Sequence, residues 1–103
     1  MAANLQAVAQ AVPTVKLLID GKFVESKTAE WKDVVNPADQ KVLARVPFAT
    51  PAELEAAVAS AAEAYRSWRN TPVGARMRVM LKFQELIRRD MKKLAACLTA
   101  EQG

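Results

Sequence analysis

Two short apolar runs near the start of the chain, Val15-Lys16-Leu17-Leu18-Ile19 and Lys22-Phe23-Val24, are separated by Asp20-Gly21. Asp-Gly suits a type I′ turn, whose two central residues both need positive φ, so the pattern predicts a hairpin with strands near 15–19 and 22–25. A second pair of runs, Lys32–Val35 and Lys41–Val46, flanks Asn36-Pro37-Ala38-Asp39-Gln40. Pro37 fixes φ and lacks an N–H, so the chain is expected to turn there. Val42, Ala44 and Val46 alternate with Lys41, Leu43 and Arg45, the period of a strand with one better-buried face.

The period then changes. Thr50-Pro51-Ala52-Glu53 reads as a helix start, with Thr50 as N-cap, Pro51 at the first helical position and Glu53 completing a capping box. Leu54, Val58, Ala61, Tyr65 and Trp68 follow at alternating steps of four and three, one apolar stripe ending in two aromatics and part of more stripe than a chain of this length is expected to cover by itself. Thr71-Pro72 repeats the start signal. Val73, Met77, Met80, Ile87, Met91, Leu94 and Leu98 carry a second stripe, widened by Leu81 and Phe83. Asp90 is placed to cap a new segment, so helices are expected near 73–89 and 91–101, collinear or bent. The last of them runs almost to Gly103, as expected of a segment from a longer chain. The fold class that results is an α+β fragment of two β-hairpins followed by two to three helices.

Composition narrows the classes. Hydrophobic residues make up 51% and charged residues 25% of 103 positions, which is globular material able to bury only a small core. No apolar run approaches the ~18 residues of a membrane span. The longest uncharged stretch, Met1 to Val15, contains Asn4, Gln6, Gln10, Pro13 and Thr14 but no basic n-region, unlike a secretory signal or a mitochondrial presequence. Residues 1–12 are read as a mobile N-terminal arm. Cys97 is the one cysteine, which precludes an internal disulfide and suits a reducing cytosol. Histidine, the commonest general base and metal ligand at neutral pH, is absent.

The candidate chemistry is sparse. Cys97 would need a base, a cation or a helix N-terminus beside it to act as a nucleophile. It lies late in a helical run next to Leu94 and Leu98, where a small buried packing residue is the expectation. Gly21, Gly74 and Gly103 are too dispersed for a dinucleotide-binding loop. Charge is uneven: residues 1–64 hold six Lys/Arg against eight Asp/Glu, and residues 65–103 hold nine against three. Arg78, Lys82, Arg89 and Lys93 share a face opposite the Met/Leu stripe, with Glu85 placed to pair with Arg89 at i,i+4. No aromatic joins that face, so it reads as solvated or subunit-facing, not as a nucleic-acid surface. Trp31, before a strand, and Trp68, at a helix end, are expected to anchor packing. On the residues alone, the chain contains no catalytic, cofactor-binding or metal-ligating site.

Several words and their order resemble the N-terminal segment of the aldehyde dehydrogenase superfamily. They are Ile19-Asp20-Gly21-Lys22-Phe23-Val24, Val35-Asn36-Pro37-Ala38, Ala64-Tyr65 with Trp68, Leu86-Ile87-Arg88-Arg89-Asp90, and Glu101-Gln102-Gly103. Val12–Leu17, Gly21–Lys27, Arg45-Val46-Pro47 and Ala49-Thr50 look like its CoA-acylating methylmalonate-semialdehyde branch.

The resemblance implies that residues 13–103 are the N-terminal portion of an NAD-binding and oligomerisation domain of α/β fold, truncated here. It also implies a parent enzyme that uses NAD and coenzyme A as substrates. There a cysteine thiolate attacks the semialdehyde, hydride passes to NAD, and the thioester is carried to coenzyme A with loss of carbon dioxide. The nucleophile, oxyanion donor and NAD contacts of that family lie beyond position 103, and Cys97 does not match the catalytic motif. Val34-Val35 align with a backbone monovalent-cation site of some members. The partners implied are the remainder of the dehydrogenase chain and neighbouring subunits of a homotetramer, with no nucleic acid and no membrane. The setting implied is valine catabolism in a bacterial-type cytoplasm, or alternatively the mitochondrial matrix. The other class compatible with the residues is a free-standing α+β interaction module that binds an acidic partner.

Overall fold

A computed structural model describes residues 11–103, and seven elements follow in the order anticipated. Strands β1 (Leu17–Ile19) and β2 (Lys22–Val24) form one antiparallel pair, β3 (Trp31–Val35) and β4 (Val42–Pro47) another. Helices α1 (Pro51–Trp68), α2 (Val73–Arg89) and α3 (Met91–Gln102) complete the chain. This is the α+β arrangement expected, and the N-terminal arm falls outside the described residues apart from Ala11 and Val12.

The first hairpin is set by its turn. Asp20 and Gly21 take φ of 53° and 67°, the doubly positive geometry of a type I′ turn, and place Ile19 opposite Lys22. In the second hairpin Asn36 Oδ1 accepts from Ala38 N–H at 2.9 Å, and Asn36 N–H donates to the Lys41 carbonyl at 2.9 Å. The chain reverses through Gln40 at a φ of 61°. Pairing runs from Trp31–Pro47 to Val34–Ala44 and then skips to Val35–Val42, so Leu43 is an extra residue in β4. This bulge overturns the simple alternation expected there. Leu43 and Ala44 are both half-buried, while Val42 and Val46 are exposed. Thr14 joins the far side of β4 in parallel: Val15 N–H donates to the Arg45 carbonyl at 2.8 Å, and Arg45 N–H to the Pro13 carbonyl at 2.9 Å.

The capping box of α1 forms as its residues require, with Thr50 Oγ1 accepting from Glu53 N–H at 3.3 Å and Glu53 Oε2 from Thr50 N–H at 2.9 Å. The second start signal works differently. Pro72, not Thr71, is the N-cap of α2, and the Thr71 hydroxyl donates back to the Ser67 carbonyl at 3.3 Å. Proline brings no side-chain acceptor, so α2 begins without a side-chain cap. Asp90 interrupts the helical run at φ −100° and ψ 13° and takes the expected N-cap position of α3, but it makes no side-chain cap bond, its carboxylate being taken by Arg89 at 2.7 and 3.0 Å. The expected Glu85–Arg89 pair is therefore replaced by two others, Lys82–Glu85 at 3.0 Å and Arg89–Asp90.

These elements do not enclose a core. Among the described residues Pro47 alone is buried. The radius of gyration is 19.4 Å, against about 13 Å for a compact chain of this length. The accessible surface is 9175 Å², where a compact protein of 11.3 kDa exposes about 5,700 Å². The α1 stripe is left uncovered, as expected of more apolar stripe than a chain of this length can cover, with Leu54, Val58, Tyr65 and Trp68 exposed. The neighbouring face, with Glu53, Ala57 and Ser60 half-buried, turns toward the first hairpin instead.

Candidate functional site

Among the described residues the best-connected polar group is the Glu53 carboxylate. Beyond its capping bond, Glu53 Oε2 accepts from the Ser26 hydroxyl at 2.8 Å and Oε1 from Lys27 N–H at 2.7 Å. Ser26 Oγ in turn accepts from Thr28 N–H at 3.2 Å. One carboxylate thus ties the chain leaving β2 to the first turn of α1. Glu53 belongs to the half-buried face, and successive helical residues are set ~100° apart. The tie therefore directs Ala57, Ser60 and Ala64 at the hairpin and rotates the Leu54 stripe away. The Lys27 N–H first, then the Thr50 N–H and the Ser26 hydroxyl, hold the Glu53 carboxyl below the usual carboxylate range. Three donors converge on this carboxylate, which favours its charged form.

Sequence reasoning identified Glu53 only as half of a capping box. Its contacts to Ser26 and Lys27 span 27 and 26 residues and have no local signature.

Cys97 is exposed, contrary to the buried position expected of it. It faces a shallow apolar cleft of about 360 Å³ between α3 and the β3–β4 sheet, lined also by Val34, Leu43, Ala44, Ala100 and Glu101. No histidine exists to serve it as a base. Val34 belongs to this cleft, whereas Val35 is exposed beside the turn. Gly21 sits in the hairpin turn and Gly74 in the first turn of α2, so neither makes a strand-to-helix loop able to cradle a pyrophosphate. The described residues contain no cluster of three or more Cys, Asp or Glu placed for a metal ion.

On the basic face, Lys82 is paired with Glu85 and Arg89 with Asp90, which raises the Arg89 pKa and lowers that of Asp90. Phe83 is exposed and lies beside Arg78, Lys82 and Leu86 in a shallow depression, so the basic and apolar sides of α2 adjoin. Trp31 is the first residue of β3. Its indole N–H donates to the Thr28 carbonyl at 3.2 Å, and the Arg45 guanidinium lies 5.8 Å from its ring. It anchors the loop between the hairpins, as a packing residue should. Trp68 closes α1 and remains 40% exposed. No helix among the described residues is long and apolar enough to cross a membrane.

Comparison with known proteins gives this arrangement a context. The model of the Aldehyde dehydrogenase family matches residues 23–103. The acylating mitochondrial methylmalonate-semialdehyde dehydrogenase of Arabidopsis thaliana is 54% identical over 94 residues, covering 91% of this chain and 16% of that protein. The Homo sapiens methylmalonate-semialdehyde/malonate-semialdehyde dehydrogenase is 50% identical over 93 residues, covering 90% and 17%. The chain thus spans about a sixth of the length of the curated relatives it matches.

Among solved structures, a Sinorhizobium meliloti protein described as a methylmalonate-semialdehyde dehydrogenase and complexed with NAD superposes with a TM-score of 0.84 at 35% identity. The match covers 89% of this chain and 19% of that one. A 3,6-anhydro-L-galactose dehydrogenase superposes at 0.81 and 30% identity, covering 87% and 19%. The hairpins and helices therefore recur together as one part of much longer enzymes. The chain belongs to the aldehyde dehydrogenase family.

Proposed function

We propose that this chain is the N-terminal segment of a CoA-acylating methylmalonate-semialdehyde dehydrogenase, in which it serves as structure and not as catalyst. The parent reaction is the NAD-dependent oxidation of methylmalonate or malonate semialdehyde to propionyl-CoA or acetyl-CoA with release of carbon dioxide. The observation that carries the reading is identity of 50% or more to acylating relatives, extending over about nine-tenths of the chain. The geometry supports the structural role: the one well-connected carboxylate, Glu53, ties a hairpin to a helix, and Cys97 lies in an apolar cleft without a base.

Residues 13–103 belong, on this reading, to the NAD-binding and oligomerisation domain, and the partners are the rest of the chain and neighbouring subunits of a homotetramer. NAD and coenzyme A are bound by other parts of the enzyme. The cytoplasm is the compartment proposed. The mitochondrial matrix is the second reading, favoured by the names of the plant and human relatives.

The test supplies methylmalonate semialdehyde, NAD and coenzyme A to the dehydrogenase that carries this sequence and identifies the product by mass. Propionyl-CoA with carbon dioxide is expected. Free methylmalonate formed at the same rate without coenzyme A would overturn the acylating assignment.

A further inference from the structure

We draw no further inference here: the strongest candidate, the shallow apolar cleft between α3 and the β3–β4 sheet that Cys97 faces, holds a lone cysteine with no second group pointing to a ligand, and nothing in the structure shows what covers it.

Discussion

Gly21 and Gly74 provide a paired test of whether the backbone, not the available space, controls the first hairpin. A Cβ built on either residue meets nothing within 4 Å, so neither site excludes a side chain by contact. They differ in φ. Gly21 stands at +67° in the turn, whereas Gly74 is in the first turn of α2. Gly21→Val forces a β-branched residue into the left-handed region, at a cost of about 1–2 kcal/mol. Gly74→Ala, in helical geometry, should instead stabilise by about 0.4–1 kcal/mol by reducing the freedom of the unfolded chain.

Among the described residues the β1–β2 pair has no third strand to share the loss, so the penalty should appear as local opening. Hydrogen exchange of the dehydrogenase carrying this sequence, read by mass spectrometry on a peptide spanning the hairpin, should accelerate about 5–30-fold in Gly21→Val. The same peptide should be unaffected by Gly74→Ala. Hairpin exchange unchanged within about twofold in Gly21→Val, or accelerated alike by both substitutions, would refute the backbone argument.

Four further outcomes are expected. The chain alone should bind an apolar-surface dye and melt without a sharp transition, and a cooperative, dye-silent monomer by calorimetry would contradict the missing core. Purified alone, it should produce no NADH from aldehyde and NAD, as measured by absorbance. Cys97 should be modified rapidly by a thiol reagent in the isolated chain, and in the full enzyme Cys97→Ala should cost at most about 1–2 kcal/mol with turnover nearly intact; a loss of several orders of magnitude in turnover would give Cys97 a catalytic role. The folded pKa of Glu53 is depressed, so its contribution is complete above the unfolded value near 4.5 and is lost as pH falls through the folded value. Carboxyl titration by NMR should find Glu53 below that value, and Glu53→Gln should remove this acid-side dependence.

The parts of the fold that depend on near neighbours were legible. Asp20-Gly21 specifies its own turn, Thr50-Pro51-Ala52-Glu53 its own cap, and the elements fall within about two residues of the expected bounds. The misreadings arose where several groups compete for one partner. Asp90 takes its expected N-cap position without a side-chain cap and Glu85 does not pair with Arg89, because Arg89 reaches the adjacent Asp90 with two nitrogens and leaves Glu85 to Lys82. The Leu43 bulge was hidden because periodicity cannot register one extra residue inside a short strand. The face of α1 that meets the first hairpin had no local signature. A hydrophobic stripe shows that a helix will be covered, but not by which neighbour, and here a carboxylate tie from 27 residues away decides which face the hairpin takes.

These two kinds of outcome explain how the turns and helix starts can be set locally without a core. Its hairpin turns, capping box and carboxylate tie are satisfied by polar groups close in sequence or gathered at one node, and they need no buried apolar volume. Each is modest, since one net hydrogen bond contributes only about 0.5–1.5 kcal/mol and cannot by itself offset the ordering of a hundred residues. The apolar side chains that would supply the remainder are held in place and left uncovered: Leu54, Val58 and Tyr65 on α1, Met77 and Met80 on α2, Leu94 and Leu98 on α3. A segment with this division contributes shape before it contributes stability. In an enzyme of the aldehyde dehydrogenase family, substitutions at Glu53, Gly21 or Thr50 should therefore act by misdirecting these faces, and should lower the yield of assembled enzyme far more than the turnover of the molecules that do assemble.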